Sequence, residues 1–231
     1  MATSKGKRHE IKYTINYFDY LTYSGRLKKI LKEDHSVNGE GYEVTSIYFD
    51  DRYNTAYLEK IRGDEFRSKY RLRYYNDEQD FYKLEKKEKW QRMTVKSSTQ
   101  LEKKVVDEIL LGNYQVIADS QDTLVREFYY GLTKKMLRPK TVIRYHRNAY
   151  MHPIGEFRLT LDTDIRFGLY RDNIPVDQLM YMQAIENNEV IMELKFDGVL
   201  PSMISNMIQA SRVISSSSSK YVYSRQYDYN Y

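Results

Sequence analysis

Residues 66–77 read FRSKYRLRYYND. Taken two at a time, Arg67, Lys69, Arg71 and Arg73 fall on one phase, and Phe66, Ser68, Tyr70, Leu72 and Tyr74 on the other. This is the period of a β-strand, whose successive side chains face opposite ways. Four cations therefore share a face, next-but-one neighbours roughly 7 Å apart. Two readings of the stretch stay open. An antiparallel strand can leave one face in water, where it carries charge. Stacked like charges repel, however, and an anionic ligand would remove that cost.

The same phasing recurs along the chain. In KRHEIKY (7–13), Arg8, Glu10 and Lys12 lie opposite His9, Ile11 and Tyr13. Residues 79–95 form the hairpin partner of 66–77 across a polar turn, with Lys83, Glu85, Lys87 and Lys89 on one face. A second hairpin pairs KTVIRYHRNAYM with GEFRLTLDTDIRF around HPIG. It carries Arg144 and His146, then Arg158, Thr160, Asp162 and Asp164 opposite Phe157, Leu159, Leu161 and Ile165. In the strand at 189, Glu189, Glu193 and Lys195 oppose Val190, Met192, Leu194 and Phe196. These phases collect twelve Lys or Arg against six Asp or Glu, in a chain of 231 residues with 37 basic, 32 acidic and a net charge of +5. The distribution of charge, more than its sum, points to an anionic partner.

Residues 42–50 add another strand. Helices are expected over 15–33, briefly within 51–61, over 99–111 with Thr99 as cap and Glu102 at capping-box spacing, over 121–136, and from Pro201 to about 212. SSSSSK (215–220) is a linker, or a segment whose hydroxyl and N–H groups hold phosphate; residues 226–231 form a frayed tail. Twenty-four tyrosines favour strands. The expected architecture is a single α+β domain over 1–231. Its antiparallel strands form either an open sheet with a basic platform or a closed barrel, decorated with helices, whose interior is a cation-lined tunnel.

Several classes fall away. Without cysteine there is no disulfide, thiolate metal site or cysteine nucleophile. No apolar run is long enough for a membrane-spanning helix. MATSKGKRHE lacks an apolar signal core, so a cytoplasmic protein is expected. No G-x-x-x-x-G-K-[ST] or H-E-x-x-H is present, and His9, His35, His146 and His152 do not cluster in sequence. A nucleic-acid reader would interleave aromatics with its cations, whereas Tyr70 and Tyr74 are out of phase with them; no nucleic-acid partner is expected.

RHEIKY, KYRLRYY, YKLEKKEK, VIRYHR, FRLTLD, MELKF and a late SSK occur in this order over roughly residues 7–225. The series resembles the triphosphate tunnel metalloenzymes, and within them the polyphosphate polymerase branch, typified by the catalytic domain of the vacuolar transporter chaperone (VTC) complex. The resemblance implies a closed antiparallel barrel of about eight strands whose basic lining grips the phosphates of a nucleotide or polyphosphate. Arg71, Arg73, Arg144 and Arg158 would be the catalytic arginines. Lys12, Lys83, Lys87, Lys195, Lys220 and Ser219 would bind substrate; the motif does not choose between Lys86 and Lys87, and the face shared with Lys83 favours Lys87. Glu193 would hold Mn²⁺ or Mg²⁺, with Glu10 either assisting the metal or pairing with an arginine. Hydrolytic relatives open with E-x-E-x-K; here Arg8 replaces the first glutamate, which resembles the polymerase branch. The implied activity is transfer of the ATP γ-phosphate to a growing polyphosphate chain or orthophosphate, with a membrane protein as a possible partner. A tripolyphosphate or nucleoside-triphosphate hydrolase and a non-catalytic polyphosphate-binding module are the alternatives.

Overall fold

The computed structural model describes residues 8–34, 41–76, 78–91, 93–152, 157–171, 174–184, 189–200, 202–209 and 219–225. Ten strands and six α-helices give a mixed α+β fold. The strands are β1 (Arg8–Asn16), β2 (Lys32–Glu33), β3 (Tyr42–Asp50), β4 (Phe66–Tyr75), β5 (Glu78–Trp90), β6 (Met93–Glu102), β7 (Arg138–Met151), β8 (Phe157–Leu169), β9 (Met182–Gln183) and β10 (Glu189–Asp197). The helices are α1 (Tyr17–Ile30), α2 (Thr55–Arg62), α3 (Lys103–Leu110), α4 (Thr123–Thr133), α5 (Ser202–Gln209) and α6 (Lys220–Arg225). One antiparallel sheet runs in the order β1–β10–β8–β7–β3–β4–β5–β6, with β2 on β7 and β9 on β8. Among the described residues β1 and β6 do not pair, so the expected barrel is not closed by backbone hydrogen bonds. No helix among them is long and apolar enough to cross a membrane.

The chain folds as two compact units. The first takes residues from 1–43, 145–165 and 185–219; the second takes them from 44–144, 166–184 and 220–231. In the first, Ile15, Leu159, Leu161, Val190, Met192, Leu194 and Phe196 line one face of β1, β10 and β8. They pack with Tyr23, Leu27 and Leu31 at and just beyond α1, and with Ile204 of α5. Asn16 starts α1 by accepting the Asp19 N–H at 2.8 Å, an ordinary side-chain cap.

In the second unit Ile47, Phe49, Tyr70, Leu72, Tyr74, Tyr82, Leu84 and Leu101 form the apolar face of β3–β6, and α3 and α4 cover it. Phe49 meets Phe128 of α4 edge-to-face at 5.0 Å. Leu72 and Leu84 are fully buried there, so truncating either to alanine should cost about 2–5 kcal/mol. Asp50 and Asp51 together start α2: Asp50 accepts the N–H groups of Ala56 and Tyr57, and Asp51 that of Thr55. The cap residue by position, Asn54, is left-handed and gives no side-chain cap.

One segment departs from expectation. Residues 93–102 form β6, and helix α3 starts at Lys103 without a side-chain cap. Thr99 therefore lies in a strand, opposite Leu84, and Leu101 lies opposite Tyr82. Sheet pairing and burial of Leu101 outweigh the capping-box spacing. The SSSSSK stretch is described only at Ser219 and Lys220; its other serines, and the tail 226–231, lie outside the described residues.

Candidate functional site

The face of β3–β6 turned away from the apolar core is read directly from the strand register. Its rows are Arg67–Lys89–Thr94, Lys69–Lys87–Lys96, Tyr48–Arg71–Glu85–Ser98 and Ser46–Arg73–Lys83–Gln100. Arg67, Lys69, Arg71, Arg73, Lys83, Lys87, Lys89 and Lys96 thus share these rows with one carboxylate, Glu85, while Asp50 of β3 and Glu102 of β6 lie on the same phase beyond them. Lysines stand directly opposite one another in the second row, a placement that like-charge repulsion disfavours. Apart from Lys96, every one of these cations is buried or half-buried.

Glu85 organises the centre. It is almost wholly buried. It accepts the Arg71 Nε–H at 2.5 Å, lies 3.7 Å from Arg73 Nη1 and pairs with Lys96. Burial alone would raise its pKa, but the charges of Arg71, then Arg73 and Lys96, outweigh burial and bring it down to about 2. Each arginine has a further anchor on β3: Arg71 Nη1 donates to the Tyr48 hydroxyl at 2.9 Å, and Arg73 Nε to the Ser46 hydroxyl at 3.1 Å. Both forks are oriented before any ligand arrives. Arg144, in the same unit, lies with its guanidinium 4.9 Å over the Tyr181 ring.

The other face of β1–β10–β8, in the first unit, carries the rows Glu10–Lys195–Arg158, Lys12–Glu193–Thr160 and Thr14–Ile191–Asp162. Here both signs are present in the rows, although Lys195 stands opposite Arg158. Lys12 pairs with Glu10 and Lys195 with Glu193, each at 3.1 Å. Arg158 Nη2 meets Asp34 at 2.7 Å and the Tyr42 hydroxyl at 3.1 Å. Arg147 forms a bidentate pair with the fully buried Asp162 at 2.6 and 2.7 Å. Burial works against its charge, but Asp162, then Tyr145, outweigh this and raise the Arg147 pKa.

Glu10 and Glu193 are diagonal neighbours on this face. A Mg²⁺ or Mn²⁺ ion takes one or two carboxylates from protein when phosphate oxygens and water complete its shell, and these two fit that role. No group of three or more metal-ligating His, Asp or Glu gathers among the described residues.

The structure thus gathers Arg71, Arg73, Lys83 and Lys87 on one face and Lys12, Arg158, Lys195, Glu10 and Glu193 on another. Lys220 opens α6 and Ser219 precedes it, both half-buried. Sequence reasoning missed Tyr48, Lys96 and Arg147. Lys96 was hidden because it falls between the strand expected over 79–95 and the helix expected over 99–111, where the structure has β6. Val142 and Tyr150, on the phase of Arg144 by count, are buried in the two cores, but Ile143, Tyr145 and Ala149 on the phase of Arg147 are buried as well, so the sequence carries no signal that separates the two arginines.

A family model, the VTC domain, matches residues 7–228. Among solved structures, the chain is similar to a candidate adenylyl cyclase from Hippeastrum with a dominant triphosphatase activity (12% identity, TM-score 0.56, 95% of each chain covered). It is also similar to a candidate adenylate cyclase from Bacillus halodurans (13% identity, TM-score 0.51, 87% of this chain and 85% of that one). At these identities the two structures speak for the fold alone. A basic strand face with two pre-oriented arginines, a fold shared with these proteins and a match over nearly the whole chain lead to one assignment: the protein belongs to the VTC domain family, with the fold of the triphosphate tunnel proteins.

Proposed function

We propose that the chain is a metal-dependent phosphotransferase that passes the γ-phosphate of ATP to a growing polyphosphate chain or to orthophosphate. The observation that carries this reading is the β3–β6 face, where eight cations stand in four rows with one carboxylate, Glu85. A polyanion is the ligand that turns such a face from repulsive to favourable. Arg71 and Arg73, two residues apart on one strand, grip adjacent phosphates through their forks, and Lys69, Lys83, Lys87 and Lys96 supply compact charge. Phosphoryl transfer needs alignment and charge neutralisation more than a protein nucleophile; the attacking oxygen belongs to the acceptor phosphate. Glu193, with Glu10, would hold the ion, and Mg²⁺ or Mn²⁺ there would supply positive charge against the negative charge that develops on the leaving ADP. Lys12, Lys195, Arg158 and Ser219 of the first unit, and Arg144 and Lys220 of the second, are proposed as further substrate-binding residues. Arg8 in place of a first glutamate favours a polymerase over a hydrolase. Incubation with ATP and Mn²⁺ followed by separation of products by size tests the reading. Long chains are expected; free phosphate alone would make the protein a hydrolase, and no turnover a binding module.

A further inference from the structure

We propose that Tyr48 is a positioning residue of the phosphate-gripping face, fixing the plane of the Arg71 guanidinium and fixed in turn by Tyr221 of α6; the proposal rests on the phosphate reading above. Tyr48 is opposite Arg71 in the register, and Glu85 is opposite Arg71 on the other side. The guanidinium is therefore bracketed: Nε donates to Glu85 at 2.5 Å and Nη1 to Tyr48 at 2.9 Å. A planar group held at two edges has lost its rotational freedom before a phosphate arrives, so little is left to lose on binding.

Tyr48 is itself immobilised from a distant part of the chain. Its ring stacks on Tyr221 at 5.1 Å and 25°. The Tyr221 hydroxyl donates to Asp50 Oδ2 at 2.5 Å, the carboxylate that also starts α2. Arg225, one turn further along α6, donates to Asn54 at 2.6 Å. Tyr221, Ser224 and Arg225 are all buried, so α6 is a seated wedge. Lys69 lies 5.5 Å from the centre of the Tyr48 ring and 5.8 Å from that of Tyr221, drawing a second cation into the arrangement.

The groups facing Tyr48 are Lys69, Arg71 and Arg73 from β4 and Tyr221 from α6, with Ser46 and Asp50 along its own strand and Glu85 beyond Arg71. Burial alone would raise the phenol pKa; Arg71, then Lys69 and Arg73, outweigh it and bring it to about 7. Above neutrality the phenolate holds the same cations that a phosphate needs. Arg73 also meets a phenol, Tyr75: burial would raise its pKa, and the charge and hydrogen bond of Arg73 outweigh burial and lower it.

The test measures inorganic tripolyphosphate affinity by calorimetry at constant ionic strength, from pH 6 to 8.5, for wild type, Tyr48→Phe and Tyr221→Leu. Tyr48→Phe keeps the ring and its stack, and its melting temperature should stay close to that of wild type. At pH 6 it should bind about tenfold more weakly, the effect of one lost hydrogen bond to a charged group. As pH rises, wild-type affinity should fall relative to the variant and the gap should close. Tyr221→Leu should weaken binding in the same direction at pH 6. Absorbance at 295 nm should show one tyrosine ionising near neutral pH in wild type and none in Tyr48→Phe. Equal affinity at pH 6 with parallel pH profiles would overturn the positioning role alone. A wild-type protein that ignores tripolyphosphate would overturn the phosphate reading, and this proposal with it.

Discussion

The outward face of β3–β6 and the polar face of β1–β10–β8 come from the same strand alternation and treat charge in opposite ways. On β1–β10–β8, Lys12, Lys195 and Arg158 each have a carboxylate within ion-pair reach, Glu10, Glu193 and Asp34, and Asp162 of β8 pairs with Arg147 of β7. On β3–β6, Glu85 alone shares rows with eight cations and is shared by Arg71, Arg73 and Lys96. The first face is neutralised by its own residues. The second holds eight cations to one carboxylate in its rows, an excess that an anionic ligand would offset.

The largest effect should come from the incomplete face. Arg71→Ala or Arg73→Ala should lower the rate of ATP consumption with Mn²⁺ by about 10²- to 10³-fold, the typical loss for one donor aimed at developing charge. Arg71→Lys should also be harmful, since charge is kept but the fork held by Tyr48 and Glu85 is lost. Full activity in both alanine variants would reduce the β4 cations to a solvated face.

On the neutralised face, Glu193→Gln should lower metal-dependent turnover by on the order of a hundredfold, since a bound metal contributes several kcal/mol to the barrier. Tripolyphosphate binding measured without metal should persist, because no cation is removed. Normal turnover at low Mn²⁺ would dismiss Glu193 as a ligand.

Glu85→Gln tests the link between charge and stability. The folded pKa of Glu85, about 2, lies below its ordinary value of 4.5. Its carboxylate therefore stabilises the fold fully above about pH 4.5, and this is lost as pH falls through 2. At pH 7 the substitution should cost on the order of 3 kcal/mol of unfolding free energy, and the difference from wild type should vanish near pH 2. A constant difference from pH 7 to pH 2, measured by denaturant unfolding, would show that Glu85 acts through packing.

The smallest effect separates the faces most directly. Lys87→Ala removes a cation standing opposite Lys69 and Lys96, and should raise the melting temperature of the ligand-free protein slightly, by the equivalent of about 0.5 kcal/mol. Lys195→Ala takes the partner from Glu193 and should leave stability unchanged or lower it by a similar amount. Adding tripolyphosphate should reverse the ranking of wild type and Lys87→Ala. The same sign for both substitutions would remove the contrast between the faces.

The sequence by itself determined the alternation of β1, β3, β4, β5, β8 and β10, and with it which side chains share a face with Arg71 or with Glu193. Burial of Leu72, Leu84, Leu159 and Leu194 forces each strand into one phase, since a one-residue slip would expose a whole apolar row. What only the tertiary structure decided was which residue stands beside which. Lys96 faces Glu85 because β6 pairs with β5 in one register, and TVKSSTQLE on its own offers a helix start as readily as a strand. Arg147 meets Asp162 through pairing of β7 with β8, for which nothing in YHRNAY favours Arg147 over Arg144. Tyr221 reaches Tyr48 and Asp50 across most of the chain length. Periodicity is a property of neighbouring residues and is written in the chain. Cross-strand partners are set by the packing of whole elements, so the balance of charge on each face emerges only when the sheet is assembled.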